Sequence, residues 1–493
     1  MNELLLGIDI GTSACKIAVF NKQGKVIASA NEAYPVYYPR KGWVEQNPNE
    51  WWEAIVKGIK TVLSSADVKK GAIVGIGVDG QSWSAIPVDK EGNVLANTPI
   101  WMDTRARDIC EEINRKIGED EIFKIAGNSF LPSYSTPKML WFKENKPEIF
   151  AKTYKFLQSN SYIVYKLTGN MTQDMSQGYG IHFFDCKGLN YDENLAKEMG
   201  LSTELVPPVY ECDEIVGLVT AKAAEITGLK EGTPVVAGGL DAACGALGAG
   251  VYKNGQTQEQ GGQAGGMSIC TNKALSHKAL ILSPHVVSGT WLLQGGTVGG
   301  GGALRWFKQE FGKDESFDDL TAEAEKIKPG AEGVIFLPYM AGERSPIWDP
   351  DAKGVFYGLS FDKTKGHMTR AVLEGVAYSL EHNLRVAAIT GVTVSSLNAM
   401  GGAANSRLWM QIKSDVTNLP IDVPASDTAT TLGAAILAGV GCGMYSSYKE
   451  AVEETVKIKK HYEPIKDNHD VYKKSMELYL KLYEDLKDTF KRF

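Results

Sequence analysis

Leu4-Leu5-Leu6-Gly7-Ile8-Asp9-Ile10-Gly11-Thr12-Ser13-Ala14-Cys15-Lys16 is the stretch on which the fold turns. The apolar run from Leu4 to Ile10 reads as a buried strand and Gly11-Thr12-Ser13 as a tight turn. Cys15 to Phe20 alternates in polarity as a second strand, ending at Asn21-Lys22-Gln23-Gly24, so the chain begins with a hairpin. Glycine lets backbone approach a ligand, two hydroxyls and exposed N–H groups suit phosphate oxygens, and Lys16 adds positive charge. Asp9 is placed to hold Mg2+ directly or through water. Asp-x-Gly-Thr after a strand is equally an ordinary hairpin turn, so this segment does not decide function alone.

Two later passages repeat the design. Thr233-Pro234-Val235-Val236-Ala237-Gly238-Gly239-Leu240-Asp241 runs strand, glycine turn and aspartate, and Ala242 to Gly250 continues in small residues. Ser396-Leu397-Asn398-Ala399-Met400-Gly401-Gly402-Ala403-Ala404-Asn405-Ser406 leads into the amphipathic segment Arg407 to Asn418 as strand, glycine turn and helix. Glycine turns after strands in both halves point to a nucleotide cleft built from the two, with domains 1–248 and 249–493. Strands from Ala72 to Val78 and Ser84 to Val88 alternate with helices from Pro48 to Ser64 and Arg105 to Ile117, the pattern of an α/β protein. Trp51, Trp52, Ile55, Ile59 and Val62 give the first of these helices a core-facing side. Tyr472, Met476, Tyr479, Tyr483 and Leu486 do the same for a C-terminal helix over Asp470 to Phe490, whose role is packing.

A length of 493 residues favours two or three domains, and 43% apolar with 23% charged residues is an ordinary globular composition. With 52 basic against 59 acidic residues the formal charge is -7, and no basic run offers a track for nucleic acid. The start Met1-Asn2-Glu3 lacks the basic, apolar character of a signal peptide, and no uncharged run of about 18 residues suggests a membrane span. Seven dispersed cysteines without a C-x-x-C pair suit a reducing, cytoplasmic setting. The histidines show no H-E-x-x-H spacing, and Ser82 and Ser133 lack G-x-S-x-G, so zinc and serine-hydrolase chemistry are set aside.

Phosphoryl transfer to an alcohol needs an aligned oxygen, a base for its proton and cations on the developing charge. Asp241, after a buried strand and two glycines and before small residues, suits the base, with burial raising its pKa; it reads alternatively as the cap of a following helix. Gly261-Gly262-Gln263-Ala264-Gly265-Gly266 and Gly299-Gly300-Gly301-Gly302 are costly in chain entropy, which favours close approach to a ligand or to other backbone. Neither has a Walker lysine, and a flexible surface loop is the other reading.

These residues resemble the FGGY carbohydrate kinase family from Leu6 to about Gly441. Ser133-Tyr134-Ser135-Thr136-Pro137-Lys138-Met139-Leu140-Trp141-Phe142-Lys143-Glu144-Asn145 is similar to its first signature. Gly354-Val355-Phe356-Tyr357-Gly358-Leu359 through His367-Met368-Thr369-Arg370-Ala371-Val372-Leu373-Glu374 is similar to the second. The resemblance implies two ribonuclease H-like (actin-like) domains flanking a catalytic cleft, sugar bound mainly by the first domain and ATP by the second. It implies that Asp9, Gly11, Thr12, Ser13 and Lys16 form the first phosphate loop, with Asp9 and Asp241 toward Mg2+, and that Asp241 is the general base. It places Gly261 and Gly262 in the second phosphate loop, Gly301 and Arg305 beside the nucleotide, and Gly401, Gly402 and Asn405 at the adenine-side turn. Sugar and ATP/ADP are the implied small-molecule partners, a homodimer is admitted, and neither nucleic acid nor membrane is implied.

Gly42-Trp43-Val44-Glu45-Gln46-Asn47-Pro48 and Phe336-Leu337-Pro338-Tyr339-Met340-Ala341-Gly342-Glu343-Arg344-Ser345-Pro346 resemble the xylulokinase subfamily, which implies D-xylulose as acceptor. The implied sugar contacts are Gln81, Ser82, Trp83, Trp101, Asp103 and Asp241. Two departures stand out: Ser82-Trp83 replaces the usual Met-His, and Gly261-Gly262-Gln263 replaces Gly-Thr-Ser, leaving backbone N–H groups for phosphate. Trp83 can stack on the C–H face of a sugar or lie as a core residue beneath the pocket. Other acceptors (erythritol, ribulose, gluconate or glycerol), a non-catalytic sugar-responsive regulator, and a filament-forming actin relative are the competing readings.

Overall fold

The computed structural model describes residues 3–68, 73–425 and 428–492, so Met1, Asn2 and the Ala72 expected to open a strand lie outside the described residues. The opening apolar run forms β1 (Leu4–Ile10), buried throughout; β2 (Ala14–Asn21) pairs antiparallel with it and β3 (Val26–Ala33) with β2. β4 (Ile73–Gly80) runs parallel to β1 on its other side, setting Asp79 opposite Asp9. β5 (Ile215–Leu218), β6 (Pro234–Val236) and β7 (Gly239–Leu240) complete the order β5-β6-β4-β1-β2-β3, with β7 beside the end of β4.

The second sheet repeats the plan with β8 (Gln256–Gly261), β9 (Gly265–Thr271), β10 (Ile281–Pro284), β11 (Trp291–Thr297), β12 (Ser396–Met400), β13 (Ile421–Pro424) and β14 (Ile458–Tyr462). Its order is β10-β11-β9-β8-β12-β13-β14, so β11-β9-β8-β12-β13-β14 corresponds to β3-β2-β1-β4-β6-β5. Glu259, two residues before Gly261, therefore stands where Asp9, two residues before Gly11, stands in the first sheet.

Helix α1 (Pro48–Leu63) is capped by the Asn47 side chain and buries Trp51, Ile55, Ile59 and Val62, as their spacing requires. The helix expected from Arg105 begins at Arg107, because the Arg105 N–H and guanidinium are both bound to Asp103. The strand expected from Ser84 is Ile86–Val88, since Ala85 N–H donates to Thr98 Oγ1. Helix α2 (Asp241–Gly248) follows β7 directly, α3 (Gly301–Phe311) follows the second glycine run, α4 (Lys365–Ile389) carries the second signature, and α5 (Arg407–Thr417) follows the third glycine turn. α6 (Ala429–Gly441) and α7 (Lys466–Phe490) complete the set used here, α7 burying Tyr472, Met476 and Tyr479.

α6 crosses back to the first sheet on a contact of backbone against backbone. A Cβ at Gly7 would lie 2.0 Å from Thr431 O, at Gly77 1.9 Å from Ala434 O, and at Gly433 1.9 Å from Cys244 O. Glycine at these places allows α2 and α6 to pack between the two sheets. Asp241, the first residue of α2, is thereby fixed at the junction. Among the described residues no helix is long and apolar enough to cross a membrane, and all seven cysteines are free.

Candidate active site

The β1–β2 turn is braced from behind. Gly11 N–H donates to Ala14 O, Tyr34 Oη donates to Gly11 O at 2.5 Å, Gln46 Nε2 to Thr12 O at 2.8 Å, and Trp101 Nε1 to Thr12 Oγ1 at 3.0 Å. Among the described residues no protein acceptor takes the Thr12 or Ser13 N–H, which leaves both for a ligand. The Thr12 hydroxyl, by contrast, already accepts a bond. Lys16 Nζ lies 3.4 Å from Asp9 Oδ2, with the lysine 61% and the aspartate 5% exposed, so the cation faces out and the anion in.

Three carboxyls converge beneath this turn. Asp79, between β1 and β7 through its pairing with Asp9 and Gly239, is fully buried, and among the described residues its carboxyl meets no basic side chain directly and faces that of Asp9. Burial, then the charges of Asp9 and Asp241, push its carboxyl well above the usual range. Burial also raises Asp9, against the opposing pull of Lys16. Asp241 is pushed up to about 7, chiefly by burial and then by Asp9, against the Ala242 N–H and Lys16. The cap of α2 is Leu240, so Asp241 is not a capping residue; among the described residues its Oδ1 accepts the adjacent Ala242 N–H alone, at 2.6 Å. Sequence reasoning missed Asp79, although Val78-Asp79-Gly80 ends a buried strand as Ile8-Asp9-Ile10-Gly11 nearly does.

The β8–β9 turn is built differently. Gly301 N–H donates to Gly262 O at 2.8 Å and Gly302 N–H to Gln263 O at 2.9 Å, so the start of α3 is tied to the turn rather than open. Gly401, at φ 87°, abuts Gly261, where a Cβ would meet Gly261 O at 2.8 Å. Among the described residues the N–H groups of Gly262, Gln263 and Ala264 have no protein acceptor. Glu259 is buried in an ion pair with Lys413 at 2.5 Å. Gly402, Asn405 and Arg305 are exposed around the same turn, and Arg305 forms no ion pair among the described residues.

A cavity of about 460 Å³ joins the two sides, lined by Ser82, Trp83, Trp101, Tyr134, Tyr179 and Asp241 from the first and by Gly262, Gln263, Gly296, Arg344 and Trp348 from the second. Trp83 therefore lines the cavity, stacked on Tyr134 with ring centroids 4.1 Å apart, and it also packs against the hydrophobic core. Gln81 and Asp103 are not among the lining residues. Gln81 Nε2 donates to Gln46 Oε1 at 2.7 Å, and Asp103, with no exposed surface, accepts from Val44 N–H and the Arg105 guanidinium. Tyr179 and Trp348 reach the cavity from distant segments without local sequence signals, whereas Tyr134 lay inside the first signature and Arg344 inside the stretch from Phe336 to Pro346.

The FGGY carbohydrate kinase N-terminal domain model matches residues 4–248 and the C-terminal domain model residues 265–442. The xylulose kinase of Staphylococcus epidermidis is 34% identical over 489 residues, covering 99% of this chain and 98% of that one. The gluconate kinase structure from Lactobacillus acidophilus superposes with a TM-score of 0.93 at 25% identity, over all of both chains. The xylulose kinase structure from Rhodospirillum rubrum gives 0.93 at 28% identity, over 99% of this chain and 100% of that one. The doubled strand order agrees with the two-domain actin-like fold of these kinases.

Proposed function

Because the chain belongs to the FGGY family of carbohydrate kinases, sugar kinases that use ATP as phosphate donor, we propose that its acceptor is a primary hydroxyl of D-xylulose and that Asp241 removes the proton from it. The observation that carries this reading is a single carboxyl, raised to about 7, on the wall of a cavity shared by both sheets. A base with a pKa near the working pH is ionised often enough to act and basic enough to accept a proton. The xylulose kinases aligned over nearly the whole chain support the choice of sugar.

Asp241 orients the acceptor oxygen and receives its proton as the bond to phosphorus forms. The free N–H groups of Thr12 and Ser13 on one side, and of Gly262 and Gln263 on the other, bind phosphate oxygens, while Lys16 offsets their charge. Trp83, Tyr134 and Tyr179 keep water from the sugar. Asp9 and Asp241 fit Mg2+, which takes one or two carboxylates together with phosphate oxygens and water; that ion would neutralise charge on the transferred group.

ADP release measured with D-xylulose, D-ribulose, gluconate, glycerol and erythritol tests the substrate. The highest kcat/KM is expected for D-xylulose. A higher value for gluconate, the substrate named for the similar Lactobacillus acidophilus structure, would replace the sugar while leaving the kinase chemistry in place.

A further inference from the structure

Trp83 adopts φ 64°, in the left-handed region that a bulky aromatic residue rarely occupies, so neighbouring structure must hold it there. The restraint comes from the helix Ser135–Asn145. Lys138 Nζ donates to Trp83 O at 2.7 Å, and Ser135 Oγ donates to Ser84 O at 3.0 Å, fastening two consecutive carbonyls. With its main chain fixed, the Trp83 indole lies on Tyr134 at 25° and against Tyr179, whose hydroxyl donates to Ser82 Oγ at 2.9 Å. Gly180 leaves room for it, since a Cβ there would meet Trp83 Cδ1 at 2.9 Å.

Lys138 is an unusual residue to spend on this bond. It has no exposed surface, and a buried ammonium is costly without good partners. The nearest charges, Asp103 and Arg105, are already paired with each other, and Arg105 also pairs with Glu45 and lies over Trp43 and Trp141. Its only recorded hydrogen bond among the described residues goes to Trp83 O. A packing role would be met by an apolar side chain of similar length; an amine aimed at one carbonyl is explained by the geometry it imposes on Trp83.

We propose that Lys138 is a positioning residue for sugar binding: it clamps the Trp83 carbonyl so that the indole, stacked on Tyr134, forms a rigid apolar wall against the C–H face of the sugar. The proposal rests on the reading that this cavity takes the acceptor sugar. It assigns Lys138 no contact with either substrate.

The test uses the full-length protein with Lys138→Met, Trp83→Ala, the double variant and Lys138→Arg. Lys138→Met is expected to raise KM for the sugar about tenfold or more with kcat and KM for ATP nearly unchanged, and to weaken the near-ultraviolet dichroism of the stacked Trp83–Tyr134 pair. Trp83→Ala should raise the sugar KM similarly, and adding Lys138→Met to it should change little, because both act through the same wall. Lys138→Arg, which keeps a donor, should restore the dichroism and most of the sugar affinity. Additive effects in the double variant, or a sugar KM and dichroism unmoved by Lys138→Met, would overturn the proposal. If Lys138→Met does not fold, a Lys138→Arg variant whose sugar and ATP KM rise together would overturn it instead. The dichroism needs no substrate, so a different acceptor emerging from the sugar panel would not be confused with failure of the clamp.

Discussion

The turn after β1 and the turn after β8 occupy the same position in two sheets of the same strand order, yet their buried charge is balanced in opposite ways. At the first, Asp9, Asp79 and Asp241 crowd together, and among the described residues the basic side chain beside them is the outward-facing Lys16. At the second, Glu259 is matched inside the protein by Lys413, and the turn is bound to the start of α3. The first site is left with unsatisfied anionic capacity, suited to a cation and an acidic proton. The second is electrically settled and offers backbone. Under the proposed function, the proton-accepting carboxyl belongs to the first turn, while the second contributes backbone N–H groups alone.

The comparison is broken most severely at Asp241. Asp241→Asn can still accept the Ala242 N–H, so the fold should survive, while kcat falls about 10²–10⁴-fold; calorimetry should find nucleotide affinity within a few-fold of the parent. At the second turn the matching change is one of stability. Lys413→Met strands a buried Glu259 and is expected to cost about 3–5 kcal/mol in urea unfolding, whereas Lys16→Met, removing a mostly exposed partner, should cost about 1 kcal/mol or less. Equal losses would mean that the two turns are not balanced differently. A smaller effect is expected from Gly301→Ala, whose Cβ would stand 2.5 Å from Gly262 O; a cost of about 1–3 kcal/mol should accompany a raised KM for ATP and an unchanged KM for the sugar.

Much of this was legible in the sequence because it is local. The apolar run before Gly11, the Gly-Gly-Leu before Asp241 and the spacing of Trp51, Ile55, Ile59 and Val62 each predict an element from adjacent residues. What was missed depends on distant pairing. Asp79 meets Asp9 only because β4 runs parallel to β1, Lys413 meets Glu259 across 154 positions, and α6 reaches the first sheet from the far end of the chain. Asp103, expected at the sugar, is instead engaged by Arg105 two residues on and by the distant Val44 N–H.

The most direct test of the central claim is the pH dependence of kcat. Asp241 must be ionised to act as base, so the rate should fall as pH drops through about 7. The same shift has a stability counterpart of fixed sign. Between the ordinary 3.8 and about 7 the folded chain holds a proton that the unfolded chain has lost, so this group's contribution to stability declines as pH rises across that window and is level above it. A kcat limb near 7 with D-xylulose, absent from the residual activity of Asp241→Asn, is the expected result. A profile flat from pH 5 to 8, or the same limb in Asp241→Asn, would contradict the account.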